Sequence, residues 1–273
     1  HYGWHRLSEF AEVVMTNSTL RGPVRPLKEL FDAMAERTNL DFWGLTIHHG
    51  AEGNPFKGKH LYNYLPVHIQ SHFIVYRKKF IQSKELQNYW DTMPMIESYT
   101  DSVQRYESVF TKQFADKGYQ WDVYVNTDDL KEFTDYPLLV CPTRLLRDKK
   151  CPLFKRRSFM HDFEAYLNDT AGEPVRELYA YLRDHTDYPL ELIWKNMIRT
   201  MHPYDFTRNL GLTRLIPERV QDEACAAAVR KNRRIALCMH LFFMDMLPHS
   251  CAFAAHMPPE TDVVISTHAP ENK

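Results

Sequence analysis

Asp41-Phe42-Trp43-Gly44-Leu45-Thr46 and Tyr64-Leu65-Pro66-Val67-His68-Ile69-Gln70-Ser71-His72-Phe73-Ile74-Val75-Tyr76 decide how this chain is read. Phe42 to Thr46 and His72 to Tyr76 are apolar runs of strand length. Between them, residues 48 to 66 form a long loop holding His48, His49, His60, Gly50, Gly53 and Gly58. A loop of that length in a compact domain is a lid or a binding loop, or is simply mobile. The region closes on Arg105-Tyr106-Glu107-Ser108-Val109-Phe110. There Val103, Tyr106, Phe110 and Phe114 mark one apolar helix face, stopped by Gly118. Aromatic platforms, neutral hydrogen bonders and a single acid are the equipment of a sugar site. An α/β core with polar loops accounts for the same residues.

Working outward, residues 1 to 10 read as a helical lead-in and Ala11 to Met15 as a short buried strand. Asn17-Ser18-Thr19-Leu20-Arg21-Gly22-Pro23 is a loop on its Asn, Ser, Gly and Pro signals. Leu27, Leu30, Phe31 and Met34 recur at helical spacing, with Pro26 suited to the first turn. A helix around Glu85 to Trp90 and a strand at Trp121 to Val125 complete an alternation of strands and helices, the mark of an α/β layered domain. The pattern changes near residue 137. Pro137, Pro142 and Pro152 frame a connector, and three helical patterns follow: Phe159, Phe163 and Tyr166; Val175, Leu178, Tyr179 and Leu182; Leu190, Ile193, Trp194 and Met197. After a polar segment, strands at Ile235 to His240 and Asp262 to Ser266 open a further α/β domain. The expected division is residues 1–136 as an α/β domain, 137–231 as connector and helical subdomain, and 232–273 as the start of a second α/β domain.

Composition narrows the function classes. With 44% hydrophobic and 25% charged residues, the 273-residue chain is expected to fold as a soluble globular protein. A formal net charge of -1 without a basic block argues against nucleic acid as a partner. The five cysteines show no Cys-x-x-Cys spacing, which points to reduced thiols and a cytoplasmic setting rather than a metal cluster. No apolar run reaches the roughly 18 residues a membrane span needs, and no signal peptide is visible. The chain starts on His rather than Met and ends just after a strand, so both ends are expected to be cut from something longer.

Several of these segments together resemble the rhamnan synthesis protein F family, glycosyltransferase-like proteins of bacterial surface polysaccharide synthesis. They are the strand and Asn-x-(Ser/Thr)-x-x-Gly-Pro loop at 13 to 23, Asp41 to Thr46, His68-Ile69-Gln70-Ser71-His72-Phe73 and the Glu107 helix. Cys151-Pro152-Leu153-Phe154-Lys155-Arg156-Arg157-Ser158-Phe159-Met160-His161-Asp162 and Leu182-Arg183-Asp184-His185-Thr186-Asp187-Tyr188 match as well. The resemblance covers roughly residues 1 to 217. It implies a fold of the GT-A kind, of which this chain would hold the metal loop and the acceptor half, a helical appendage and the first elements of the next module. Most of the nucleotide half would be missing, so the chain alone is expected to be inactive.

The resemblance also implies a chemistry. Glycosyl transfer needs positive charge on the leaving diphosphate, a base for the acceptor hydroxyl, and orientation of both sugars. GT-A enzymes hold a divalent metal, Mn²⁺ or Mg²⁺, on an acidic motif, and in the family the loop reads Asn-Asp-(Ser/Thr). Here it reads Asn17-Ser18-Thr19, which puts metal dependence in question. Arg21 beside Asn17, and the cluster Lys155, Arg156 and Arg157, are then candidates to hold the donor diphosphate; a solvated surface run is the plain alternative. Glu107 is the candidate base, since a helical carboxylate beside an apolar face can have a raised pKa, with Glu97 and Asp101 nearby. His68, Gln70 and Ser71 are candidates to bond sugar hydroxyls, as is Asp41, and Trp43 to stack on a sugar ring or simply to fill the core. His161 is a candidate metal ligand or a structural His, and the irregular spacing of His48, His49 and His60 does not suggest zinc. The expected partners are a nucleotide-sugar donor, of rhamnose or glucose, and a polysaccharide or lipid-linked acceptor, with peripheral association at the inner face of the membrane. The rival reading is a non-catalytic carbohydrate-binding or scaffold module of the same machinery, which the Ser18 departure favours.

Overall fold

The computed structural model of the chain describes residues 3–53, 55–56, 61–160, 172–209 and 234–267. It divides into two compact units, His1–Thr213 and Arg214–Lys273. The class is the expected mixture of α and β. The first unit is built on a four-stranded sheet in the order β1 (Glu12–Thr16), β6 (Phe73–Arg77), β3 (Phe42–Gly44), β7 (Trp121–Val123). β6 runs antiparallel to both neighbours, and only β3 and β7 pair in parallel.

Period-two alternation places the sheet between two cores. Trp43 of β3 with Phe73 and Val75 of β6 face one side, where Leu30 and Met34 of α2 (Leu27–Ala35) cover them together with Leu138, Leu145 and Cys151. Phe42, Ile74 and Tyr76 face the other. They meet Phe80 and Ile81 of α3 (Lys78–Ile81), Leu86 of α4 (Lys84–Asp91), and Phe110 and Phe114 of α6 (Ser108–Ala115). Ser83 caps α4, its hydroxyl accepting from the Leu86 N–H at 3.3 Å. Burial of one such side chain contributes about 1.5–3 kcal/mol, so these aromatic layers dominate the stability of the unit.

Two local expectations are corrected, and the long loop gains a paired base. β1 is an edge strand, with Val14 and Met15 each 40% exposed, because it pairs on one side alone. The long loop is closed at its base, where β4 (Ile47–His48) pairs with β5 (His68–Ile69) and Ala51 bridges Leu65; residues 54 and 57–60 lie outside the described residues. The Glu107 helix is not one continuous α-helix. After α5 (Tyr99–Ser102) the chain makes a π turn, Val103–Glu107, before α6 begins.

The helices beyond the connector share a third core. Val175, Leu178 and Leu182 of the helix Glu173–His185 and Ile193 and Met197 of Glu191–Thr200 pack with Leu146, Phe154, Phe159 and Tyr188. Phe163 and Tyr166 of the expected first helix, and the polar segment after residue 217 up to 233, lie outside the described residues. In the second unit, β9 (Ala236–Leu241) and β10 (Asp262–Thr267) pair in parallel, with the helix Leu247–Ala254 between them in sequence. Among the described residues no helix is long and apolar enough to cross a membrane.

Candidate functional site

The site is assembled by two short strand pairs and the π turn. β2 (Leu20–Arg21) pairs antiparallel with β8 (Phe154–Lys155), setting Leu20 opposite Lys155. Gly22 makes this crossing possible. Its φ is +130°, and a Cβ there would collide with Pro152 O at 2.7 Å and Leu153 Cδ2 at 2.8 Å. The pairing carries the Lys155 ammonium to 3.5 Å from the Thr19 hydroxyl, while the Arg156 N–H donates to Thr19 O at 2.8 Å. Asn17, on the exposed loop, accepts from the Thr19 N–H at 3.0 Å and the Thr19 hydroxyl at 2.5 Å.

The second pair, β4 with β5, sets His48 opposite His68. Facing residues of an antiparallel pair lie on the same side, and the two imidazoles stack with centroids 5.1 Å apart and planes 7° from parallel. Both tautomers are fixed by the backbone. His48 Nδ1 accepts from the Gly50 N–H at 3.0 Å, so its proton sits on Nε2. His68 Nδ1 donates to Pro66 O at 2.7 Å. Burial, and then the neighbouring His68, hold the His48 pKa down to about 4. Tyr136, half exposed, packs edge-on against His48 at 5.6 Å.

Glu107 joins the two halves. It stands at the end of the π turn, half-buried, and its Oε2 accepts from the Ser71 hydroxyl and, at 3.3 Å, from the Ser71 N–H. Its charge acts on both His48 and Lys155. Burial pushes the Lys155 pKa down to about 8, against the pull of Glu107 and with the repulsion of Arg157. Behind them His72 is fully enclosed, and burial holds it well below the ordinary imidazole range, with Lys155 adding to the effect. Thr46 ties this layer together: its hydroxyl lies 2.8 Å from Gln70 Oε1 and 3.4 Å from His72 Nε2.

Thus Glu107, Ser71, Gln70, His68, Lys155 and Asn17 are gathered into one region, with Arg156 and Arg157 at its border. Three candidates are elsewhere. Trp43 is fully buried against Phe31 and Phe73, its Nε1 donating to Glu12 at 3.2 Å, so no sugar ring can reach its face. Asp41 is a strand clamp: Oδ2 accepts from the Gln120 N–H at 2.9 Å and Oδ1 lies 3.5 Å from Lys79. Arg21 turns to the helix Glu191–Thr200, donating to Asn196 Oδ1 at 2.6 Å and Leu192 O at 3.3 Å. His161 lies outside the described residues. Sequence reading missed Thr19, Thr46, His48, His72 and Tyr136 as members of the site. The His48–His68 pairing depends on strand register, which residue spacing does not reveal.

The donor set does not fit a divalent cation. Mg²⁺ and Mn²⁺ favour carboxylate and other hard oxygen ligands. Here Asn17 Oδ1 is used by Thr19, Ser18 carries no charge, and an ammonium group already stands beside Thr19. Among the described residues no group of three His, Cys, Asp or Glu side chains could hold a metal ion.

Fold and site together define a mixed α/β protein with a carboxylate, a half-buried lysine and a stacked histidine pair around one polar region. The chain belongs to the rhamnan synthesis protein F family, whose model matches residues 1–273. The match runs past residue 217 and takes in the second unit as well. Membership gives the chain a part in polysaccharide synthesis. No curated protein and no solved structure matches it.

Proposed function

We propose that the chain is a glycosyltransferase-like protein that moves a sugar, rhamnose or glucose, from a nucleotide donor onto a rhamnan-type acceptor, either polysaccharide or lipid-linked. The first unit would supply the acceptor side of a GT-A-like domain. The observation that carries this reading is Glu107 held on Ser71, beside the loop of Asn17, Thr19 and Lys155, with its charge felt by both Lys155 and neutral His48. Glu107 takes the proton of the acceptor hydroxyl. The oxygen attacks the anomeric carbon, the bond from that carbon to the diphosphate oxygen breaks, and the diphosphate leaves with the electron pair. Lys155, with Arg156 and Arg157 nearby, meets the charge that develops on it. His48 and the Gln70 amide nitrogen orient sugar hydroxyls, and Tyr136 offers a ring to stack on. Lys155 takes the role that a metal has in other GT-A sites, so donor binding should survive chelation.

Glu107→Gln tests the reading in the full-length protein. Its amide oxygen can still accept from Ser71, so the fold is kept, while transfer falls by about 10²–10⁴-fold. Unchanged turnover removes Glu107 from the mechanism. The loop Asn17-Ser18-Thr19, with no carboxylate, favours the second reading, a non-catalytic sugar-binding module. Calorimetric titration with UDP and dTDP separates the two: binding that persists in EDTA supports the transferase, and no nucleotide binding with or without Mn²⁺ supports the binding module.

A further inference from the structure

An open groove of about 480 Å³ lies against α4, α6 and the π turn. That volume is within the roughly 300–1,000 Å³ of ligand sites. Its wall includes Tyr62, Tyr89 and Tyr106, with Asn88, Thr92 and Gln113 between them. Glu85, Asp116 and Lys117 also line it, each with a partner of its own, and Lys112 lies over one face of the Tyr62 ring at 5.5 Å. Glu85 accepts from the Tyr119 hydroxyl at 3.0 Å, Asp116 pairs with Lys112 at 2.8 Å, and Lys117 lies over the Phe114 ring at 5.2 Å. Beside these balanced charges the groove offers a ligand phenol surface, neutral amides and a hydroxyl. A neutral sugar chain gains stacking for its C–H faces and hydrogen bonds for its hydroxyls.

The groove is also rigid where it matters. Tyr89 is fixed edge-to-face against Tyr106, Phe110 and Phe114, with centroids 6.5, 5.3 and 5.5 Å away. A ring held in advance binds without the entropy cost of ordering it. The groove draws on the same two segments as the carboxylate site. Tyr62 comes from the loop whose ends carry His48 and His68, and Tyr106 is the residue before Glu107 in the π turn.

We propose that this groove binds a run of neutral sugar residues of the rhamnan chain, behind the end that reacts at Glu107. The identity of the sugar rests on the polysaccharide-synthesis reading; the groove's preference for neutral saccharide rests on its own lining. The test is calorimetric titration of the full chain with a rhamnose octasaccharide. Asn88→Ala combined with Gln113→Ala removes hydrogen bonders at helix positions where alanine is favoured, so the fold is kept; Tyr62→Ala is a second variant on a loop. Both are expected to weaken octasaccharide binding by at least about tenfold, while Lys28→Ala, an exposed change on α2 away from groove and site, alters it by less than about twofold. Equal affinity in the wild type and both groove variants overturns the proposal, as does an octasaccharide that does not bind the wild type. Loss of binding in the groove variants, in a protein that shows no transfer, leaves the groove standing and removes the transferase. Transfer abolished by Glu107→Gln with groove variants unaffected does the reverse.

Discussion

Acidification should destabilise the first unit through His48 before its carboxylates titrate. His48 is buried between His68 and Tyr136, and its pKa falls from 6.5 to about 4. A histidine that resists protonation when folded but accepts a proton freely when unfolded favours the unfolded chain as pH drops. The stability is fully present above pH 6.5 and is lost progressively as pH falls to about 4. Each pKa unit corresponds to about 1.4 kcal/mol, so the displacement amounts to about 3 kcal/mol at most. His72, buried and displaced in the same direction, adds to the trend. The measurement is urea unfolding of the chain at steps from pH 7 to pH 4, beside His48→Asn. The asparagine Oδ1 takes the place of Nδ1 and still accepts from the Gly50 N–H, but nothing remains to titrate. The variant starts less stable, having lost the ring stack, and its stability should fall less steeply with acid. A His48→Asn curve parallel to the wild type across pH 6.5 to 4 would refute the argument, because the pH dependence would then come from other groups.

Lys155 predicts a pH effect of its own. With its pKa near 8, its charge fades as pH rises through that value, so UDP binding should weaken by up to about tenfold between pH 7 and pH 9. In Lys155→Met the profile over that range should be flat, and an unchanged slope would show that Lys155 does not hold the diphosphate. Gly44→Ala tests the packing under the site. A Cβ on Gly44 would collide with the Ile69 Cγ2, so the strand carrying His68 must move, at about 1–3 kcal/mol; a variant with wild-type melting temperature would contradict the close approach.

The alternation in β3 and β6 made the central sheet legible, because period two fixes which residues share a face. It does not say which face is which. Trp43 and Phe42 are adjacent aromatics on opposite sides, and both sides prove to be core, so neither is left for a ligand. Helix α4 was expected around Glu85 to Trp90, and the Ser83 cap fits its start. Arg21 could not be placed from sequence, since Asn196 lies 175 residues away along the chain. The same holds for Lys155 beside Thr19, a contact across 136 residues that depends on the β2–β8 register.

The π turn was the least visible feature and has the largest effect on the site. In an unbroken α-helix Glu107 would lie one turn after Val103, at the edge of the apolar face that Val103, Tyr106, Phe110 and Phe114 mark. The π turn ends on Glu107 itself, and beyond it α6 runs as an ordinary helix with Ser108, Thr111 and Phe114 buried. Its first full turn anchors the neighbouring strand: the Thr111 hydroxyl accepts from the Ile69 N–H at 2.9 Å. That bond fixes β5, and with it Ser71, at the distance at which Ser71 meets the carboxylate. The meeting of Glu107 with Ser71 therefore involves both the end of the π turn and one threonine four residues further along. Extra turns of this kind inside helices recur at functional sites, which is why the π turn, more than the acid alone, marks Glu107 as the residue on which the reading should be tested.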